Sequence, residues 1–242
     1  MSASSGPAVE RLSPQQIEAR LAGAPVAYLP LGTLEFHGPH LPVGLDALTA
    51  HGICLAAAEL SGGIVLPAFY HGVGGEHTDY PWTIMSGAPD AIEALLGETL
   101  ARLCELGVQR AVILSGHFAD EQRGLVMRVA DDWNARESTM SVVARTLGQV
   151  PEPPVVPDHA GRFESLVLHA LHPDLVHVEL LPDVETHPAP AGEDPYGAAR
   201  HDPDHPLHGI FGADPRRLGS AGAAPLLDHL VRWTASLAGH QE

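Results

Sequence analysis

Short apolar runs alternate with helical patterns along most of this chain, and this alternation constrains its fold more than any other feature. APVAYLPLG, GIVLPAFY, RAVILSGH and SVVARTL have strand length and strand composition. Between them, Ser13–Gly23, Asp46–Leu60, Pro89–Leu106 and Asp120–Ala135 read as helices. Ser13 is placed to cap the first, with Pro14 at its first helical position, and Gly107 closes the third. Further on, Arg162–Leu171 reads as a helix, LVHVEL as a short strand, 182–209 as a long irregular segment, and Ala224–Leu237 as a closing helix. Such alternation predicts an α/β domain with a mainly parallel sheet covered by helices on both faces. No repeat or linker divides the chain, so residues 1–242 are expected to form one domain.

Composition removes several functions. The net charge is −17, carried against 13 arginines and no lysine. Such a surface repels phosphate backbones, so no nucleic-acid partner is expected. No apolar run approaches the roughly 18 residues of a membrane span. MSASSGPAVE lacks the basic and apolar regions of a signal peptide, which points to a cytoplasmic location. Cys54 and Cys104 sit in helical apolar patterns and read as buried small hydrophobes.

Sixteen histidines are the unusual feature. In parallel sheets, sites form at the carboxyl ends of strands. Glu35 and His37 follow the first strand, His71 and His77 the second, and His117 the third. LGTLEFHGPHLPVGLD also brings Asp46 back at the head of a helix, where a carboxylate is favoured in any case. Imidazoles and carboxylates converging from separate strand ends are the donors of a divalent cation site. Ser115-Gly116-His117 is not a nucleophile elbow, and GVGGEH opens no helix in the manner of a dinucleotide fingerprint.

These residues also carry a resemblance. LGTLEFHGPHLPVGLDALTA is similar to the signature of the creatininase (creatinine amidohydrolase) family, approximately P-x-G-S-x-E-Q-H-G-P-H-L-P-x-x-T-D. EHTDYPWTI resembles that family's H-x-x-F-P-G-T-I block, SGHFAD its N-G-H-G-G-N, DHAGRFES its H-A-G-E-x-E-T-S, and GIFGADPR its G-V-x-G-D-P. The blocks run in order from Leu31 to Arg216.

The resemblance implies a three-layer α/β/α sandwich, a two-metal centre and a homo-oligomer, hexamers occurring in the family. It implies Glu35 and His117 on one metal, His37 on the other, and Asp46 bridging them. Creatininase proper has a further carboxylate two residues after the strand-end histidine, where this chain has Ala119. Other members use the second glutamate of the H-A-G-E-x-E-T-S block, which matches Glu164, with Asp120 and Glu121 as nearby alternatives. His159 matches the acid–base histidine; its other reading is a polar cap for the helix that follows. His77, Asp79, Trp82 and Phe118 are candidates for substrate contact, and His40 for a supporting role.

The implied chemistry is hydrolysis of a C–N bond in a small-molecule amide, cyclic amide or formamide by a metal-activated hydroxide. Zinc heads the expected metals, with manganese and iron as alternatives. Ala119, Arg162 in place of the block's first glutamate, Trp82 in place of a glycine, and the absence of tryptophan from the segment LGQVPEPPVVPD that leads to His159 point away from creatinine itself. A peptidase of the same family acting on a peptide or modified natural product is the second expectation. A non-catalytic binding protein on a partly decayed metal scaffold is the third.

Overall fold

The structure is a computed structural model and describes residues 6–75 and 77–239; Glu76 of EHTDYPWTI and the first five residues of MSASSGPAVE lie outside the described residues. Four strands form one parallel sheet in the order β2-β1-β3-β4, with β1 at Val26–Leu31, β2 at Ile64–Val65, β3 at Arg110–Ser115 and β4 at Ser141–Thr146.

Strand alternation divides the core into two layers. Ala27, Leu29, Leu31, Ala111 and Ile113 face one side, where α3 (Pro89–Glu105) and α4 (Asp120–Asn134) cover them and α1 (Pro14–Gly23) packs at the margin. Val26, Tyr28, Val112 and Leu114 face the other side, under α2 (Leu45–Ser61), α5 (Arg162–Leu171) and α6 (Ala223–Ser236). The result is the three-layer sandwich expected from the sequence. Ser13 caps α1 through a capping box with Gln16.

Two elements differ from the sequence reading. GIVLPAFY forms a ladder only at Ile64–Val65, because Pro67 has no N–H to donate; the chain rejoins the sheet through a single bridge between Leu31 and Phe69. LVHVEL is not a strand but part of two 3₁₀ turns, Pro173–Leu175 and Val178–Leu180. Of its apolar residues, Leu175 and Val176 serve a third small core, packing with Leu41, Leu45, Leu168 and the adjoining Leu181. Period-two apolarity there buries side chains against helices rather than building a ladder.

The strand order reverses its direction of winding between β1 and β3. Loops leaving those strands diverge, and the crevice between them is where open α/β sheets place ligands. Leu31 pairs with Ser115 at the ends of these strands, so the segments carrying Glu35 and His117 leave the sheet side by side.

Candidate metal centre

Asp46 stands in the first turn of α2, fully buried between the ends of β1 and β3. Close packing permits this. A β-carbon on Gly32 would lie 2.2 Å from the Ala47 nitrogen, and one on Gly116 would lie 2.0 Å from the Asp46 carbonyl oxygen. Glycine at both strand ends lets the helix head settle between them.

The Asp46 carboxylate faces two clusters. Its Oδ1 lies 3.2 Å from His37 Nε2, which is 3.5 Å from Glu164 Oε2. Its Oδ2 lies 3.5 Å from His117 Nδ1, which is 2.9 Å from Glu35 Oε2. Donor atoms of Glu35, Asp46 and His117 lie within 4.8 Å of one another, as do those of His37, Asp46 and Glu164 and those of Glu35, His37 and His159.

Each ligand candidate is oriented from behind. His37 Nδ1–H donates to the Glu35 carbonyl at 2.9 Å, which turns Nε2 into the site. Glu164 is in the first turn of α5 and accepts the Ala160 N–H at 2.6 Å. Ala160 holds a left-handed φ of 56°, so this bend is strained. His77 Nδ1 donates to Glu35 Oε1 in a very short contact. His159 Nε2–H donates to the Phe36 carbonyl at 3.0 Å, leaving Nδ1 on the site side, 3.8 Å from Glu35 Oε1. An antiparallel bridge to Phe211 fixes the His159 backbone.

Electrostatics separate these groups. Burial opposes charge on His37, but Glu164 and Asp46 together outweigh it and push the imidazole up to about 10. His117 is likewise penalised by burial and carried up to about 9 by Glu35 and Asp46. Burial disfavours ionised Glu35 and Asp46, yet the surrounding histidines hold both below the usual carboxylate range. Glu164 moves the other way: burial, with Asp46 adding to it, raises it well above that range. Burial also lowers His159 to about 3, so its ring is neutral with an available lone pair on Nδ1.

The donors suit divalent cations. Three carboxylates and several imidazoles converge, and His37 Nε2, Asp46 Oδ1 and His117 Nε2 are buried without a hydrogen-bond partner. Buried polar atoms in that state are rare and costly. Bound cations would displace the proton held at His37 Nε2 and take up an electron pair of Asp46 Oδ1.

A cavity of about 160 Å³ opens above the clusters, lined by Glu35, Gly75, His77, His117, Phe118, Ala119, His159 and Glu164. Of the sequence candidates for substrate contact, His77 and Phe118 line it. Asp79 and Trp82 are exposed on the same loop and do not. Asp120 is exposed and pairs with Arg123 at 3.2 Å, while Glu121 packs over Gly74; among the described residues neither joins a donor group, and Glu164 is the carboxylate brought to His37. His40 is buried beside Ser165, and burial, with the His37 charge next, lowers it to about 4.

Sequence reasoning overlooked three residues. Asp158, from just before α5, accepts the Phe163 and Glu164 N–H groups of its first turn at 3.2 and 3.4 Å, which leaves His159 to face the site. Gln122 accepts the Val73 N–H at 3.1 Å and donates to Ser115 Oγ at 3.2 Å, tying the glycine-rich loop to the β3 end. Thr33 touches both Asp46 and Glu35. Its sequence signal is a hydroxyl two residues before Glu35, at the serine position of the family signature.

The family described as Creatininase: Creatinine amidohydrolase matches residues 10–238. Creatinine amidohydrolase of Pseudomonas putida is 29% identical over 220 residues, covering 81% of this chain and 82% of the relative. The mycofactocin precursor peptide peptidase of Mycolicibacterium smegmatis is 32% identical over 157 residues, covering 62% of this chain and 59% of that protein. A crystal structure of creatinine amidohydrolase (creatininase) superposes with a TM-score of 0.75 at 26% identity, covering 96% of both chains. A manganese form of creatininase shares the fold at a TM-score of 0.77 and 24% identity, covering 96% of this chain and 97% of the other.

Proposed function

The chain belongs to the creatininase family, and from that premise we propose that it is a metal-dependent amidohydrolase that cleaves a C–N bond of a small amide, cyclic amide or formamide at two divalent cations shared through Asp46. The observation that carries this reading is the split of the Asp46 carboxylate, Oδ1 toward His37 and Glu164 and Oδ2 toward His117 and Glu35. Zinc, manganese and ferrous iron all suit these donors.

Bound there, two cations would acidify a water and polarise the scissile carbonyl. The protein supplies the rest. Glu35, His37, Asp46, His117 and Glu164 are held from behind before any ligand arrives, so little reorganisation is needed. Phe118 and Gly75 narrow the cavity and limit bulk water. His159, neutral and fixed through Nε2, presents Nδ1 to the reacting centre. That nitrogen takes a proton as the carbonyl is attacked and returns it to the leaving nitrogen. An acid and an amine leave.

Likeness to a precursor peptide peptidase favours a second reading, in which the amide belongs to a peptide. Ala119 supports it, since a methyl group stands where creatininase proper carries a carboxylate. Metal analysis together with an Asp46→Ala variant tests the shared chemistry. The wild type is expected to hold two equivalents and hydrolyse a panel of amides, and the variant to lose both. Retained metal with retained hydrolysis would overturn the proposal.

A further inference from the structure

We infer that Thr33 is a positioning residue for one half of this site: its hydroxyl holds Asp46 and Glu35 together for the cation bound by Glu35, Asp46 and His117, while the half formed by His37, Asp46 and Glu164 stands without it. The inference rests on the two-cation reading above.

Thr33 is fully buried at the exit of β1. Its hydroxyl donates to Asp46 Oδ2 in a short contact and lies 3.2 Å from Glu35 Oε2. Its backbone N–H donates to the same Asp46 Oδ2 at 3.2 Å. Asp46 Oδ1 has no hydrogen-bond partner; it faces His37 Nε2 without the alignment of a hydrogen bond. Thr33 therefore acts on one oxygen only, the one turned to Glu35 and His117. Two carboxylates converge there, and a hydroxyl between them offsets their repulsion.

A second set of contacts fixes the hydroxyl's direction. The Thr33 methyl lies against Gly72, where a β-carbon would come within 2.5 Å of it. The next residue, Val73, is held by Gln122, which donates to Ser115 Oγ, and that hydroxyl donates to the His117 carbonyl at 2.7 Å. The rotamer of Thr33 and the backbone of His117 thus share one support, and both serve the same half of the site. Threonine rather than serine suits this place because its methyl is what Gly72 holds.

The test is titration of metal-free protein with Mn²⁺ alone, followed by calorimetry and by metal content after dialysis. Wild type is expected to take two equivalents. Thr33→Val keeps the shape and loses the hydroxyl, so one equivalent should weaken about 10- to 100-fold, the range of a hydrogen bond to a charged group. The other should weaken less, because the Asp46 oxygen turned to it carries no contact with Thr33. Adding His117→Ala to Thr33→Val should then abolish the weakened equivalent and leave the other, whereas adding His37→Ala should remove the unweakened one and leave the weakened one. Thr33→Ser should fall between wild type and Thr33→Val. Equal weakening of both equivalents, or no weakening, overturns the inference. If Thr33→Val does not fold, Gly72→Ala takes its place: it pushes on the methyl from outside the site, and the same selective loss is expected, with equal or no loss overturning it. A wild type that takes up only one ion overturns the two-cation reading instead.

Discussion

Gly116 meets Asp46 so closely that a β-carbon on the glycine would lie 2.0 Å from the Asp46 carbonyl oxygen and 2.8 Å from its Cα. Both neighbours are backbone, so neither can rotate away. Gly116→Ala should push α2 outward, at a cost of about 1–3 kcal/mol for an overpacked core. For a chain of this size that lowers Tm by about 2–12 °C. Because the displaced residue is the shared carboxylate, metal content should fall in parallel. Thermal melts and metal analysis of the same preparation check this; a variant with normal Tm and full metal would show that the approach is not tight.

His159 separates proton transfer from metal binding. Its Nε2 is committed to the Phe36 carbonyl, and its Nδ1 stands 3.8 Å from Glu35 Oε1. His159→Gln should lower kcat by about 10²–10⁴, the usual contribution of a general acid–base, with both metal equivalents retained. His159 donor atoms also lie within 4.8 Å of those of Glu35 and His37. Loss of metal in the variant would therefore reassign His159 from proton carrier to ligand.

The sheet and its two helical layers were legible in the sequence because strand alternation and helix caps are local signals. Glu35, His37 and His117 were legible as candidates because they follow strands, and parallel strands deliver their ends to one edge. Glu164 was selected through the family block rather than through its spacing. Other features depend on approaches between distant segments. Gly32 and Gly116 look like ordinary loop glycines until α2 lies against both. A cap was the other reading of His159, yet it is the Asp158 oxygens that reach the α5 N–H groups. LVHVEL carries a strand pattern, but its apolar residues are used against Leu41 and Leu45. Local pattern reports that a side chain is buried, not what buries it.

Trp82 occupies the glycine position of the H-x-x-F-P-G-T-I block, and its φ of 61° explains why glycine suits that place. Its side chain is 81% exposed, so replacing it sacrifices little burial. Trp82→Gly relieves a left-handed strain of about 1–2 kcal/mol and adds an unfolded-state entropy cost of about 0.5–1 kcal/mol. Stability should rise slightly, by up to about 6 °C in Tm. Trp82→Ala, which keeps the strain, should melt near wild type. If the ring touches substrate, both variants raise KM with kcat held. Unchanged KM in both would remove Trp82 from substrate binding.

Metal uptake should release protons. Without cations, His37 and His117 stand at about 10 and about 9, above their ordinary value of 6.5, and buried Glu164 is also raised. Both histidines hold protons at neutral pH, and ligation needs them gone; the rise of Glu164 acts in the same direction. Apparent affinity should therefore climb with pH between about 7 and 9, by up to about tenfold per unit for each proton released. Stability of the metal-free protein runs the opposite way. A histidine raised on folding contributes fully below 6.5 and loses that contribution as pH rises through 9 and 10; a raised carboxyl contributes below its ordinary value and loses its share as pH rises, so the signs agree. Chelator-treated protein should thus lose Tm from pH 7 to pH 10, while metal-loaded protein, its histidines already bare, should change less over the same range. Calorimetry in buffers of different ionisation enthalpy counts the protons. A count of zero, with parallel Tm profiles for the two forms, would mean that the buried histidines do not exchange protons for metal.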